Sequence, residues 1–164
     1  LSIHAGLSDE ALRLEVISTL AVDIEIPEGF HAYAPGAPDQ FTPVDISVAG
    51  EGLRVGEARW PVPDTLEMVE LGLTAPVLSG TVRVEVPVTV TSEVVRLGHE
   101  VAIETIPIEV SVEAQLCDEV ACGLPQRIGV TLDATVDRLV EPAGLQHYVE
   151  RVERIEEETG RPVT

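Results

Sequence analysis

The sequence predicts an all-β antiparallel sandwich with a C-terminal α-helix, and three observations carry that expectation. The apolar residues are aliphatic: 45% of the chain is hydrophobic but only 3% aromatic, so Val, Ile, Leu and Ala must fill the core. Together with 13 Gly and 12 Pro, that composition favours strands joined by turns. Several segments alternate apolar and polar residues with period two, the mark of half-buried strands. The tail changes to helical spacing. A chain of 164 residues suits one domain with a sizeable core plus a terminal appendage, and the change of pattern divides it into 1–138 and 139–164.

Taken in order, residues 12–26 place Leu12, Leu14, Val16, Leu20, Val22, Ile24 and Ile26 in one phase and Arg13, Glu15, Asp23 and Glu25 in the other. This reads as one strand, or a strand pair with a bend, ended by Pro27-Glu28-Gly29. Strands follow over 42–48 and 53–60, with Ala49-Gly50-Glu51-Gly52 between them as a hairpin turn. Pro61-Val62-Pro63-Asp64 breaks the pattern, and residues 65–76 read as a loop with a short edge strand. Residues 81–90 alternate again, with Pro87 on the outer phase predicting an edge or bulge. Over 101–116 the apolar phase switches from odd to even beside Pro107, which predicts a bulge there. Residues 126–136 resume the alternation through Ile128, Val130, Leu132, Ala134 and Val136. In the tail, Pro142 opens a helix whose apolar residues are Leu145, Tyr148, Val149, Val152 and Ile155.

The formal charge is −19, and all ten basic residues are Arg. Such a surface repels phosphate backbones and anionic headgroups, which argues against nucleic-acid partners and lipid docking. No apolar run is long enough for a membrane-spanning helix. No basic-plus-apolar leader stands at Leu1, so the chain reads as a mature or excised domain.

Both cysteines lie in the stretch Leu116-Cys117-Asp118-Glu119-Val120-Ala121-Cys122-Gly123-Leu124-Pro125, between the last two strands. They can form one disulfide if the turn brings their Cα atoms within range. So short a loop removes little unfolded-chain entropy, which invites reversible exchange as the bridge's purpose. The alternation puts Cys117 on the face opposite the core, where it is expected to be accessible. Asp118 and Glu119 flank Cys117, and like charge raises a thiol pKa. The pair is therefore a poor autonomous nucleophile, suited to a partner that brings its own activated cysteine. The alternative is a static bridge pinning a turn.

The chain resembles the periplasmic N-terminal domain of the thiol:disulfide interchange protein DsbD and the wider group of DsbD-like immunoglobulin-fold domains. The matching segments are Pro27-Glu28-Gly29-Phe30-His31-Ala32-Tyr33, Thr42-Pro43-Val44 and the cysteine turn through Leu124-Pro125, so the likeness spans about residues 10–136. The resemblance implies an immunoglobulin-like sandwich that carries electrons. It would take them from a membrane-embedded or thioredoxin-like thiol donor and pass them to thioredoxin-fold proteins outside the cytoplasm, with no cofactor. In that family the second cysteine forms the mixed disulfide; here that is Cys122, with Cys117 resolving it. Phe30, His31 and Tyr33 would line the site. The family's cap loop corresponds to the interval from Met68 to Pro76, where Leu71 and Leu73 stand in place of the family's phenylalanine. Related domains also occur fused to other redox or membrane modules.

His31 could tune a thiol or donate a proton, because its pKa lies near neutrality, or could simply pack at a strand end. Tyr33 could hydrogen-bond across the site or serve as a half-buried core residue. A copper or zinc site built from Cys117, Cys122 and His31 is the rival chemistry, although the spacing is not that of a zinc knuckle. His99 reads as a loop residue, Trp60 as core, and His4 and His147 carry no signal. A third reading is a non-catalytic interaction domain with a structural bridge.

Overall fold

The computed structural model describes residues 1–92 and 103–137. The expected C-terminal helix, His99, His147 and the start of the strand at Val101 lie outside the described residues. Those described form an immunoglobulin-like all-β fold of eleven strands and one 3₁₀ turn. One sheet runs in the order β1 (Ser2–Leu7), β3 (Ile17–Glu25), β9 (Thr81–Val90), β6 (Leu53–Val55). The second runs β2 (Leu12–Arg13), β11 (Gln126–Asp137), β10 (Ile103–Ala114), β5 (Asp45–Ala49). A third, smaller sheet runs β4 (Ala32–Tyr33), β8 (Leu73–Leu78), β7 (Asp64–Met68). All these pairings are antiparallel except the short one between β2 and β11.

The two four-stranded sheets close on one core. Leu20, Val22 and Ile24 of β3 and Val82 to Val90 of β9 meet Ile106, Ile108, Val110 and Val112 of β10 and Ala134 and Val136 of β11. Their outward neighbours are polar; Asp23 and Arg83, paired across β3 and β9, make two 2.8 Å hydrogen bonds on the solvent face. Burying each of these branched side chains contributes roughly 1.5–3 kcal/mol before chain entropy is counted. β-branched residues also suit the pleat, so the composition and the sheets agree. Trp60 is half-buried and packs against this core.

The bend expected within 12–26 sits at Glu15, whose φ of 58° is the one positive value outside glycine among the described residues. There the chain leaves the second sheet for the first. Glu15 accepts from Ser92 N at 2.8 Å and Arg54 at 3.0 Å, anchoring the crossover. Those hydrogen bonds, the Ser92 amide foremost, hold its carboxyl below the usual range.

Several expectations are corrected. Ala49-Gly50-Glu51-Gly52 is not a hairpin turn: β5 pairs with β10 and β6 with β9, so the turn carries the chain from one sheet to the other. Pro107 does not mark a bulge, because β10 and β11 pair in unbroken register from Ile103↔Asp137 to Ala114↔Gln126. Its missing N–H is tolerated where β5 no longer pairs, since that pairing covers only Glu109 to Glu113. The strand expected over 53–60 stops at Val55. Gly56 lies against Pro87, and a Cβ there would meet the Pro87 ring at 3.1 Å. Pro87 sits in an inner strand, paired with Thr19 of β3, at the point where the pairing with β6 ends, rather than at an edge or a bulge of β9. Residues 65–76 are not mainly loop: β7 and β8 form a hairpin around the 3₁₀ turn Val69–Leu71, with Gly72 at φ 61°. β1 is an additional strand outside the segments expected from the sequence.

Candidate functional site

The site is the end of the sandwich where three segments meet side by side. The first is the aromatic segment after β3. Pro27 O accepts from Phe30 N at 3.1 Å, closing a turn with Gly29 at φ 83°, a position that only glycine takes without strain. That turn delivers His31 alongside Cys117. The two residues exchange both backbone hydrogen bonds, each 2.9 Å. On its other side Cys117 pairs with Cys122. There the flanking bonds are Asp118 N to Ala121 O at 2.9 Å and Gly123 N to Leu116 O at 2.8 Å.

Cys117 is therefore the middle of a three-residue row, His31–Cys117–Cys122. Directly opposed residues of antiparallel segments project to the same face, so all three side chains share one side. The pair with His31 is the hydrogen-bonded kind and the pair with Cys122 the close, non-hydrogen-bonded kind. The latter brings the cysteine Cα atoms to 4.0 Å, and a disulfide joins them.

The turn between the cysteines is held by Asp118, whose Oδ1 accepts from Val120 N at 2.8 Å and Ala121 N at 2.7 Å. Those two backbone donors, Ala121 first, hold its carboxyl below the usual range. Gln115 Nε2 donates to Gly123 O at 2.9 Å and clasps the turn from outside.

The two cysteines are unequally exposed. Cys117 is only 1% exposed, whereas Cys122 is exposed. The expectation that Cys117 would be accessible is overturned. It does face away from the main core, which Leu116 joins, but the small third sheet covers that face. Tyr33, Ala75 and Val77 bury Cys117, with Phe41, Leu66 and Met68 packed around them. Tyr33 stacks on Phe41 at 4.2 Å and meets the His31 ring edge-on at 5.6 Å. Burial raises the Tyr33 phenol above its ordinary pKa. Burial also lowers His31, with Asp118 opposing the shift, and His31 Nε2 is buried without a hydrogen-bond partner.

Of the residues expected to line the site, His31 and Tyr33 stand beside Cys117. Phe30, next in sequence to His31, is 40% exposed. Leu71 is 67% exposed at the tip of the β7–β8 hairpin, and Leu73 is half-buried at the start of β8. The hairpin residues packed on the cysteine cluster are instead Leu66 and Met68, which precede the tip. Phe41, Ala75 and Val77 were not anticipated. The stretch Phe41-Thr42-Pro43, one of two places with phenylalanine, was the available signal for the first. Two apolar side chains stand exposed beside Cys122, Val120 at 93% and Leu124 at 85%, together with the exposed acids Asp118 and Glu119. Among the described residues, no group of three or more His, Cys, Asp or Glu is arranged to hold a metal, and no helix is long and apolar enough to cross a membrane.

An immunoglobulin-like sandwich with a disulfide turn at one end, one cysteine buried and the other exposed, has the make-up of a thiol:disulfide interchange domain. The family model of the N-terminal domain of the thiol:disulfide interchange protein DsbD matches residues 14–134, and the chain belongs to that family. Among solved structures, the chain is similar to the Neisseria meningitidis DsbD N-terminal domain in its reduced form, at 18% identity and a TM-score of 0.43. That likeness covers 72% of this chain and 80% of the other. It is also similar to the N-terminal periplasmic domain of ScsB from Proteus mirabilis, at 11% identity and a TM-score of 0.46, over 91% of this chain and 51% of that one. A comparison with curated protein sequences finds no match.

Proposed function

We propose that the domain relays electrons between thioredoxin-fold proteins or a membrane-embedded thiol donor and a disulfide-bearing acceptor, in the periplasm, through Cys122. The observation that carries this reading is the unequal burial of the pair, 1% exposure for Cys117 against an exposed Cys122. An incoming thiolate meets the exposed member of the pair first, because exchange depends on access. It attacks Cys122 Sγ, the bond to Cys117 breaks, and Cys117 leaves with the electron pair and takes a proton. The donor's second thiol then releases the reduced domain. In the forward transfer, Cys122 attacks the acceptor disulfide and Cys117 closes on Cys122 to expel the acceptor thiolate. The exposed Val120 and Leu124 offer an apolar contact on which a partner can settle. The family's periplasmic setting supports the location.

The test is trapping. Reduced Cys117→Ala protein mixed with an oxidised thioredoxin-fold acceptor should accumulate a mixed disulfide visible on a non-reducing gel. Cys122→Ala should give none. Full electron transfer by Cys122→Ala would sink the proposal.

A further inference from the structure

The electron-relay reading leaves His31, half-buried beside Cys117, without a task. His31 flanks Cys117 on the side opposite Cys122, in a register fixed by two 2.9 Å backbone hydrogen bonds. Its Nε2 is buried and unpartnered in the disulfide form. A buried polar nitrogen without a partner is costly, and such groups are rare in folded proteins. The disulfide offers it no donor; a thiol at Cys117 would. Opening the bridge creates a donor, the Cys117 thiol, on the face that His31 shares.

We propose that His31 is the general base that deprotonates Cys117 when the mixed disulfide on Cys122 is resolved. This assignment rests on the relay reading and deepens it. With Cys122 joined to a partner sulfur, the Cys117 thiol proton passes to His31 Nε2. The Cys117 thiolate attacks Cys122 Sγ, a new Cys117–Cys122 bond forms, and the partner leaves as a thiolate with the electron pair. The domain loses two electrons, the partner gains them, and the imidazolium returns its proton to the leaving thiolate or to water.

The neighbouring groups do not serve. Asp118 faces His31 from the cysteine turn, but its Oδ1 is engaged by Val120 and Ala121 N–H groups and its carboxyl is held acidic. Tyr33, on β4, is a phenol pushed above its ordinary pKa. The β7–β8 hairpin contributes Leu66 and Met68 to the cluster, neither of which titrates. Burial lowers the His31 pKa, so the ring is neutral and ready to accept a proton at pH 7. The same burial shelters Cys117 from bulk water, so a base within the protein matters more for it than for the exposed Cys122.

The experiment uses the reduced chain in excess over 5,5′-dithiobis(2-nitrobenzoate) in stopped flow. Cys122 attack releases one nitrothiobenzoate, and closure by Cys117 releases the second. We expect the wild-type closure rate to be flat above the ordinary histidine range and to fall below pH 6.5. In His31→Gln, closure at neutral pH should slow by roughly 10²-fold, the low end for a general base. It should then rise about tenfold per pH unit, as a free thiol does, and added imidazole should restore part of the rate. The first release should keep its wild-type rate, which a misfolded variant would not. Should His31→Gln fail to fold, His31→Asn and the wild-type profile decide. A wild-type closure without an acid-side bend, or a folded variant that closes at the wild-type rate, overturns the base. Failure of the relay reading looks different: wild-type closure stays base-assisted, but no mixed disulfide forms with a thioredoxin-fold protein.

Discussion

Reducing the Cys117–Cys122 bridge should destabilise the domain only modestly, and the amount follows from the loop it closes. The cysteines are separated by 5 positions, so the closed loop holds six residues. With six residues the chain-entropy relation gives about 7.4 cal/mol/K, or about 2.2 kcal/mol at 25 °C. At a urea m-value of about 2 kcal/mol/M, the unfolding midpoint should fall by about 1 M on reduction. The same free energy must appear in the redox equilibrium, because folding and disulfide formation are linked. The folded pair should thus be about 45 mV more reducing than the same pair in the unfolded chain, taking about 30 mV per 1.4 kcal/mol. Urea titration of oxidised protein, dithiothreitol-reduced protein and Cys117→Ala/Cys122→Ala protein gives the first quantity. Glutathione equilibration in buffer and in denaturant gives the second. A loss above about 4 kcal/mol would exceed what so short a loop supplies and would recast the bridge as a structural pin. A stability change and a potential shift that disagree would refute the linkage argument itself.

Two further outcomes are expected. In a double-mutant cycle, Tyr33→Leu and Phe41→Leu should show a coupling of about 0.5–1.5 kcal/mol in urea unfolding, because the rings stack at 4.2 Å; additive effects would mean the stack contributes nothing specific. His31 has a depressed folded-state pKa, so below about pH 6.5 the unfolded chain takes up the proton first. Its burial should therefore cost stability progressively as pH falls from 6.5 through the folded value, with no cost above. His31→Gln should lose that slope relative to wild type in paired unfolding curves at pH 5 and 7.5, and parallel slopes would contradict it.

How far the sequence reached depended on how local the determinant was. Alternation in β3, β9, β10 and β11 is intrinsic to each strand, and the buried residues fall in the phase it indicated. β1 was missed because its inward residues are only half-buried, and Ala5 and Gly6 weaken the signal. The β7–β8 hairpin was obscured by Pro76 and by the interrupting Val69–Leu71 turn. The cysteine turn was legible as a motif, and its disulfide is present. The shelter over Cys117 was not, since its cover comes from Tyr33, Ala75 and Val77, remote in sequence and on other strands. The face was assigned correctly; what lay on that face was not something a strand's own pattern encodes.

The apolar interior is divided in two: Tyr33, Ala75, Val77 and Cys117 form a cluster separate from the large one between the main sheets. A partition of this kind lets the cover over Cys117 open as a unit smaller than the whole domain. The amides that pair β7 with β8 should exchange with deuterium through sub-global openings, while those of β3, β9 and β10 wait for whole-domain unfolding; Ala32 of β4 and Leu78 of β8 tie the edge of the small sheet to the main core. Cys117 can then be uncovered many times within one folded lifetime, and substitutions that retune the frequency of uncovering need not touch the frame that keeps the domain folded.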